Sequence, residues 1–203
     1  TRRSSDLDWV NKFEKVGTYK ETFTDINSNK SEIDFMHRLM DIEYYENGDT
    51  KAVKLPYTNG LSMIVVLGDT KNILDVIQNN KMTSEIVNVS LPKFKAEYSI
   101  DYTDTLKNMG IEKAFSNANA DFSLMLENYP ESIKIDSVLQ KAMIDVDEKG
   151  TEAAAATSTI MVGTGADTTL EKIIEFRADK PFTYYILDDS GNVYFAGRYV
   201  KAE

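Results

Sequence analysis

Apolar side chains recur at every second position in several stretches: Val53 and Leu55; Leu61, Met63, Val65 and Leu67; Val87, Val89 and Leu91; Phe182, Tyr184 and Ile186; Val193, Phe195 and Tyr199. A spacing of two is one face of a β-strand, so each stretch predicts a strand with one side turned to a core. The last two flank Asp188-Asp189-Ser190-Gly191-Asn192, a turn composition that predicts a C-terminal hairpin. Helical spacing is rarer. Ile73, Leu74, Val76 and Ile77 predict a helix over 70–80, and a second is expected over 101–109, capped by Asp101 and stopped at Gly110. The four prolines (Pro56, Pro92, Pro130, Pro181) fall singly at predicted element edges. With no repeat or low-complexity linker, the pattern reads as one domain. Strands and helices do not alternate, so the expected class is α+β, predominantly antiparallel β-sheet with a few helices.

Charge narrows the function. The 203 residues carry 23 Lys and Arg against 33 Asp and Glu, a net charge of -10, which would repel a phosphate backbone or an anionic bilayer. Neither nucleic acid nor membrane is an expected partner. No apolar run approaches a membrane span, and Thr1 to Asp6 lacks the apolar core of a signal peptide. Zero cysteines exclude disulfides, thiolate zinc sites and thiol nucleophiles. The one histidine, His37, lies among Phe35, Met36 and Leu39 without a partner motif, and is expected to be a partly exposed strand residue. No nucleophile-base pair, metal or cofactor is expected, and the chain does not read as an enzyme. Gly163-Thr164-Gly165 lacks the third glycine of a dinucleotide fingerprint at position 168. Asp188, Ser190 and Asn192 begin like a calcium loop, but Tyr199 stands at the twelfth position. Asp145, Asp147 and Glu148 are read as solvated strand-end charge.

The unusual segment begins at Glu148 and Lys149 and continues through Gly150, Thr151, Glu152, Ala153, Ala154, Ala155, Ala156 and Thr157. Alanine favours helix, but Gly150 and the β-branched Thr157, Thr159, Ile160 and Val162 favour extended chain, and no helical apolar stripe runs through the stretch. In extended form Thr151, Ala153, Ala155 and Thr157 share one side, all small enough to slide between two existing strands.

This segment resembles the reactive-loop hinge of serpins, the conformational serine protease inhibitors. Further segments resemble the family in order: Leu55-Pro56-Tyr57 with Leu61 to Leu67; Leu91-Pro92-Lys93-Phe94; Leu106 to Ser116 with Ala120 to Ser123; and Val138 to Ala142, where many members have histidine at the place of Gln140. Phe176 to Phe182 and Phe195-Ala196-Gly197-Arg198 resemble the C-terminal signature, while Trp9, Phe13, Thr18 and Phe23 fit the aromatic segment before the central region. The resemblance divides the chain into a non-matching segment, 1–8, and a serpin-like domain, 9–203, corresponding to the C-terminal half of the family's fold.

The resemblance implies that the loop after the hinge is bait for a target serine protease, which is trapped when the hinge inserts as a new strand. Counting from the hinge places the reactive bond at Thr164-Gly165, in a run of small side chains suited to elastase-like or subtilisin-like proteases, whereas counting back from Pro181 places it nearer Leu170; the hinge count is preferred because insertion length is set on that side. A complementing chain or a second copy is the further expected partner, because the family's N-terminal half is missing from the sequence. For the same reason the isolated chain is expected to be a substrate and not a trap. The alternative is a non-inhibitory, serpin-derived binding or assembly module. Family resemblance also implies an extracellular or cell-surface location.

Overall fold

A computed structural model of the chain describes residues 7–79, 81–125, 133–151 and 172–202. In chain order its regular elements are β1 (Leu7–Asp8), β2 (Thr18–Thr24), β3 (Lys30–Asn47), β4 (Thr50–Pro56), β5 (Leu61–Leu67), α1 (Ile73–Gln78), β6 (Thr83–Pro92), β7 (Phe94–Asp101), α2 (Thr103–Asn108), β8 (Leu139–Val146), β9 (Gly150–Thr151), β10 (Ile174–Arg177), β11 (Phe182–Asp188) and β12 (Val193–Tyr199), with short 3-10 turns between some of them. The α+β class with dominant antiparallel sheet is what the strand spacing predicts. Two compact units divide the chain, one of Thr1–Lys95 with Asp145–Glu203, the other of Ala96–Ile144.

The first unit is built on an eight-stranded sheet in the order β10-β6-β3-β4-β5-β11-β12, with β2 also paired to β3. Only β10 runs parallel to its neighbour, β6; the other pairings are antiparallel. Strand β3 is the hub. Its 18 residues pair with β2 near the start, with β6 along the middle and with β4 at the end.

The core lies on both faces of β5. On one face, Met63 and Val65 stand opposite Leu55 and Val53 of β4 and Ile186 and Tyr184 of β11, all buried. On the other, Ile64 and Val66 pack with Ala52, Leu187, Met82 and the α1 residues Ile73 and Val76. Burial on both faces explains why Met63 to Leu67 is a continuous apolar run.

Both helices are shorter than the sequence predicts, because acidic side chains bind the backbone ahead of them. Asp69 Oδ1 accepts the Lys71 N–H at 3.0 Å, and α1 begins only at Ile73. Asp101 Oδ1 likewise accepts the Thr103 N–H at 2.9 Å, so Asp101 stands one residue before the N-cap, Tyr102. The stop is as predicted: Gly110 has φ +95, and its N–H reaches the Lys107 carbonyl at 2.9 Å.

The predicted C-terminal hairpin forms as β11 and β12. Its turn consumes the carboxylate that imitates a calcium ligand: Asp188 accepts the backbone N–H groups of Ser190 and Asn192 at 2.9 and 3.0 Å and the Asn192 side chain at 3.0 Å. Among the described residues no helix is long and apolar enough to cross a membrane.

Candidate functional site

Strand β8 ends at Val146, and the chain then turns through Asp147 to Gly150. The turn closes on itself. Asp147 N–H donates to the Gly150 carbonyl at 3.0 Å, while Asp147 Oδ1 accepts the N–H groups of Lys149 and Gly150 at 2.8 and 3.3 Å. An aspartate followed three residues later by glycine is a local turn signal, and here it joins β8 to β9.

Three contacts fix this turn to the rest of its unit. The first is an ion pair, Lys93 Nζ to Glu148 Oε2 at 2.9 Å, with the Glu148 side chain only 7% exposed. Burial pushes the Glu148 carboxyl up, but the Lys93 ammonium and hydrogen bonding to the charged form outweigh it and hold the group below its ordinary value. Glu148 is therefore not the solvated charge the sequence suggested. It is a buried carboxylate kept ionised by a lysine far away in the chain, while Asp145 beside it is exposed.

The second contact is Trp9, almost completely buried. Its backbone N–H donates to the Lys149 carbonyl at 3.0 Å and its indole Nε1–H to the Asp147 carbonyl at 3.0 Å. The ring stacks on Tyr57 with centroids 4.4 Å apart and meets Phe13 edge-on at 6.4 Å. Indole thus satisfies the turn's carbonyls with its polar edge while filling the core with its body.

The third contact is strand pairing. β1 and β9 are antiparallel, with Leu7 opposite Thr151 and Asp8 opposite Gly150. Gly150 has φ +147, and a Cβ there would lie 1.9 Å from the Leu7 carbonyl oxygen, so only glycine allows this approach. Gly150 and Thr151 therefore form extended chain laddered to a neighbour.

Of the residues the sequence singles out, Glu148, Gly150 and Thr151 are brought together here. Glu152, Ala153, Ala154, Ala155, Ala156, Thr157, Thr164 and Gly165 lie outside the described residues. Asp147, read from the sequence as solvated charge, instead spends its carboxylate on closing the turn, a role legible in its Asp-x-x-Gly spacing. Sequence reasoning did not assign the Lys93 ion pair or the Leu7–Asp8 pairing, which arise only through long-range contact.

One constellation was not expected. His37 Nδ1 lies 2.9 Å from Ser90 Oγ, and its Nε2 lies 3.6 Å from Glu21 Oε2. The residue types are those of a hydrolytic triad, yet Ser90 is 2% exposed and so presents no oxygen to a substrate. His37 itself is a partly exposed residue of β3, its side chain 14% exposed, as the sequence suggested.

This sheet-dominant fold is shared with known proteins. The family model for Serpin (serine protease inhibitor) matches residues 7–202, and the chain belongs to that family. It is 36% identical over 204 residues to an uncharacterised serpin-like protein of Methanosarcina mazei, covering 94% of this chain and 46% of that one. With Serpin-Z1B of Triticum aestivum the identity is 31%, over 95% of this chain and 53% of the relative. The native structure of the thermophilic serpin Tengpin superposes with a TM-score of 0.77 at 30% identity, over 97% of this chain and 53% of Tengpin. A thyroxine-binding globulin in complex with thyroxine gives 0.75 at 25% identity, over 96% and 53%. The chain spans about half the length of these relatives.

Proposed function

We propose that this chain carries the hinge and bait loop of a serpin-type inhibitor of elastase-like or subtilisin-like serine proteases, with Thr164-Gly165 as the reactive bond. The protease serine attacks the Thr164 carbonyl carbon, an ester forms, and the Gly165 amine leaves with a proton. The freed hinge then inserts as an additional strand and carries the acylated protease with it. All the catalytic groups come from the victim.

The observation that carries this reading is the pairing of Gly150–Thr151 with Leu7–Asp8, which starts the hinge as a laddered strand. Continuing it from Thr151 to Val162 would add roughly 40 Å of strand. Ala153 to Ala156 supply the small side chains that entry between two strands requires. Small residues around Thr164 suit a shallow specificity pocket.

Insertion along that whole length needs a neighbour on each side, and the described neighbour of β9 is two residues long. We therefore expect the isolated chain to be cleaved without trapping. Incubation with an elastase or a subtilisin followed by denaturing electrophoresis tests this: two fragments are expected, and a heat-stable covalent band would overturn it. Thr164→Arg should move cleavage to a trypsin-like enzyme; unchanged cleavage would place the reactive bond elsewhere. The family's secreted members make an extracellular or cell-surface location the one we propose.

A second reading, a non-inhibitory binding or assembly module, is favoured by one observation. Strands β7 and β8 leave Tyr98, Leu139 and Met143 exposed, a surface suited to a complementing chain or a second copy. Light scattering separates the readings: a defined oligomer supports assembly, and a monodisperse monomer counts against it.

A further inference from the structure

The chain's one histidine centres a charged cluster that the inhibitory reading does not use. Arg177 on β10 stands opposite Ser90 on β6, and Ser90 opposite His37 on β3, so the three form one row across the sheet. Tyr19 and Glu21 reach in from β2, Tyr19 stacking on the imidazole with centroids 4.2 Å apart and planes 6° from parallel.

One carboxylate oxygen is contested in this row. Glu21 Oε2 is ion-paired with Arg177 Nη2 at 2.6 Å. His37 Nε2, buried and without a hydrogen bond, lies 3.6 Å from the same oxygen. Arg177 at the same time donates its Nε–H to Asp179 Oδ2 at 3.0 Å. Glu175 on β10 faces the cluster too, held by the Asn88 side chain at 3.0 and 3.1 Å. The charged groups acting on His37 are thus Glu21 from β2 and Arg177 and Glu175 from β10. From β6 it meets the uncharged Ser90, and on β3 Arg38 turns away to the Lys12 carbonyl.

We propose that His37 is an acid-operated release for β10: in the neutral ring the proton sits on Nδ1 and is donated to Ser90 Oγ, and a second proton, taken up at Nε2, becomes a donor to Glu21 Oε2, competing with Arg177 for that oxygen, leaving Arg177 with Asp179 alone and undoing the side-chain strap from β10 to β2. The strap matters because β10 has four residues, stands at the sheet edge and is laddered only to β6. Burial, the largest influence, lowers the imidazole from its ordinary 6.5; Arg177 acts in the same direction, and Glu21 and Glu175 oppose it. The folded chain therefore takes up this proton less readily than the unfolded one. The stability it gives is complete above 6.5 and is lost as pH falls through the lower folded value. β10 is the first described strand after residues 152–171, so the release acts on the strand that follows that segment in the chain. Its effect on β10 holds whether or not the chain inhibits a protease.

Amide exchange over residues 174–177, expressed as protection relative to unstructured chain, tests this at about pH 7.5 and about pH 5.5. Protection should fall about fivefold on acidification, the scale of one partly exposed ion pair. In His37→Gln it should stay level, and in Glu21→Gln it should be low at both pH values. An unchanged wild-type protection, or the same fall in His37→Gln, overturns the proposal. Because the chain has one histidine, its imidazole NMR signal gives a readout that needs no variant: a midpoint below 6.5 is expected, and one at or above 6.5 overturns the release.

Discussion

The eight-stranded sheet and the unit Ala96–Ile144 use the same kinds of residue to different ends. In the sheet, β5 is covered on both faces, and Met63, Ile64 and Val65 are each fully buried. In the smaller unit, β7 and β8 form a two-stranded sheet with Leu139 67% and Met143 57% exposed, and Met109 and Leu124 are exposed beyond it. A two-stranded ribbon cannot enclose a core of its own. The lesson is that apolar spacing reports which face of a strand wants burial; it does not report that the chain supplies the cover.

That contrast can be broken most sharply from the covered side. Ile64→Ala should cost roughly 2–5 kcal/mol in chemical denaturation, the range for emptying a packed aliphatic site. A loss below about 1 kcal/mol would mean that the sheet relaxes as easily as the ribbon. Next comes the hinge base: Gly150→Ala should cost roughly 1–3 kcal/mol, because the added Cβ meets the Leu7 carbonyl and the backbone is positive in φ. Amide exchange at Leu7 and Thr151 should rise with it.

Lys93→Ala should cost about 1–2 kcal/mol, reduced from the cost of a fully buried pair because Lys93 is itself 37% exposed. The same pair sets a pH dependence. Glu148 is held below its ordinary 4.5, so its contribution is full above that value and is lost as pH falls through the lower folded value. Thermal melts from about pH 6 downward should show this loss in wild type and not in Glu148→Gln. Smallest of all, Leu139→Ser should change stability by no more than about 0.5 kcal/mol and should reduce self-association. A large loss there would show that the exposed ribbon is packed in solution.

Legibility in the sequence follows the same divide between local and distant causes. Strands β4, β5, β6, β11 and β12 announce themselves through period-two spacing, and Gly110 through its place after a helix. β3 does not alternate, because Phe35 and Met36 are both fully buried as the strand passes between neighbours. The Asp147–Gly150 turn is readable from its Asp-x-x-Gly spacing. Its long-range contacts are not: nothing near Glu148 in the sequence predicts that Lys93 neutralises it, nor that Leu7–Asp8 pairs beyond it. The Ser90-His37-Glu21 cluster was missed for the same reason, since β2, β3 and β6 meet only in the folded sheet.

Trp9 is the sole tryptophan of the chain, and it touches the hinge turn with both its backbone and its ring. Tryptophan emission is therefore a single-site optical signal whose wavelength reports whether the Asp147 carbonyl still receives the indole N–H. Opening of the Asp147–Gly150 turn or loss of the Lys93 pair could each be followed in real time, without attaching any label.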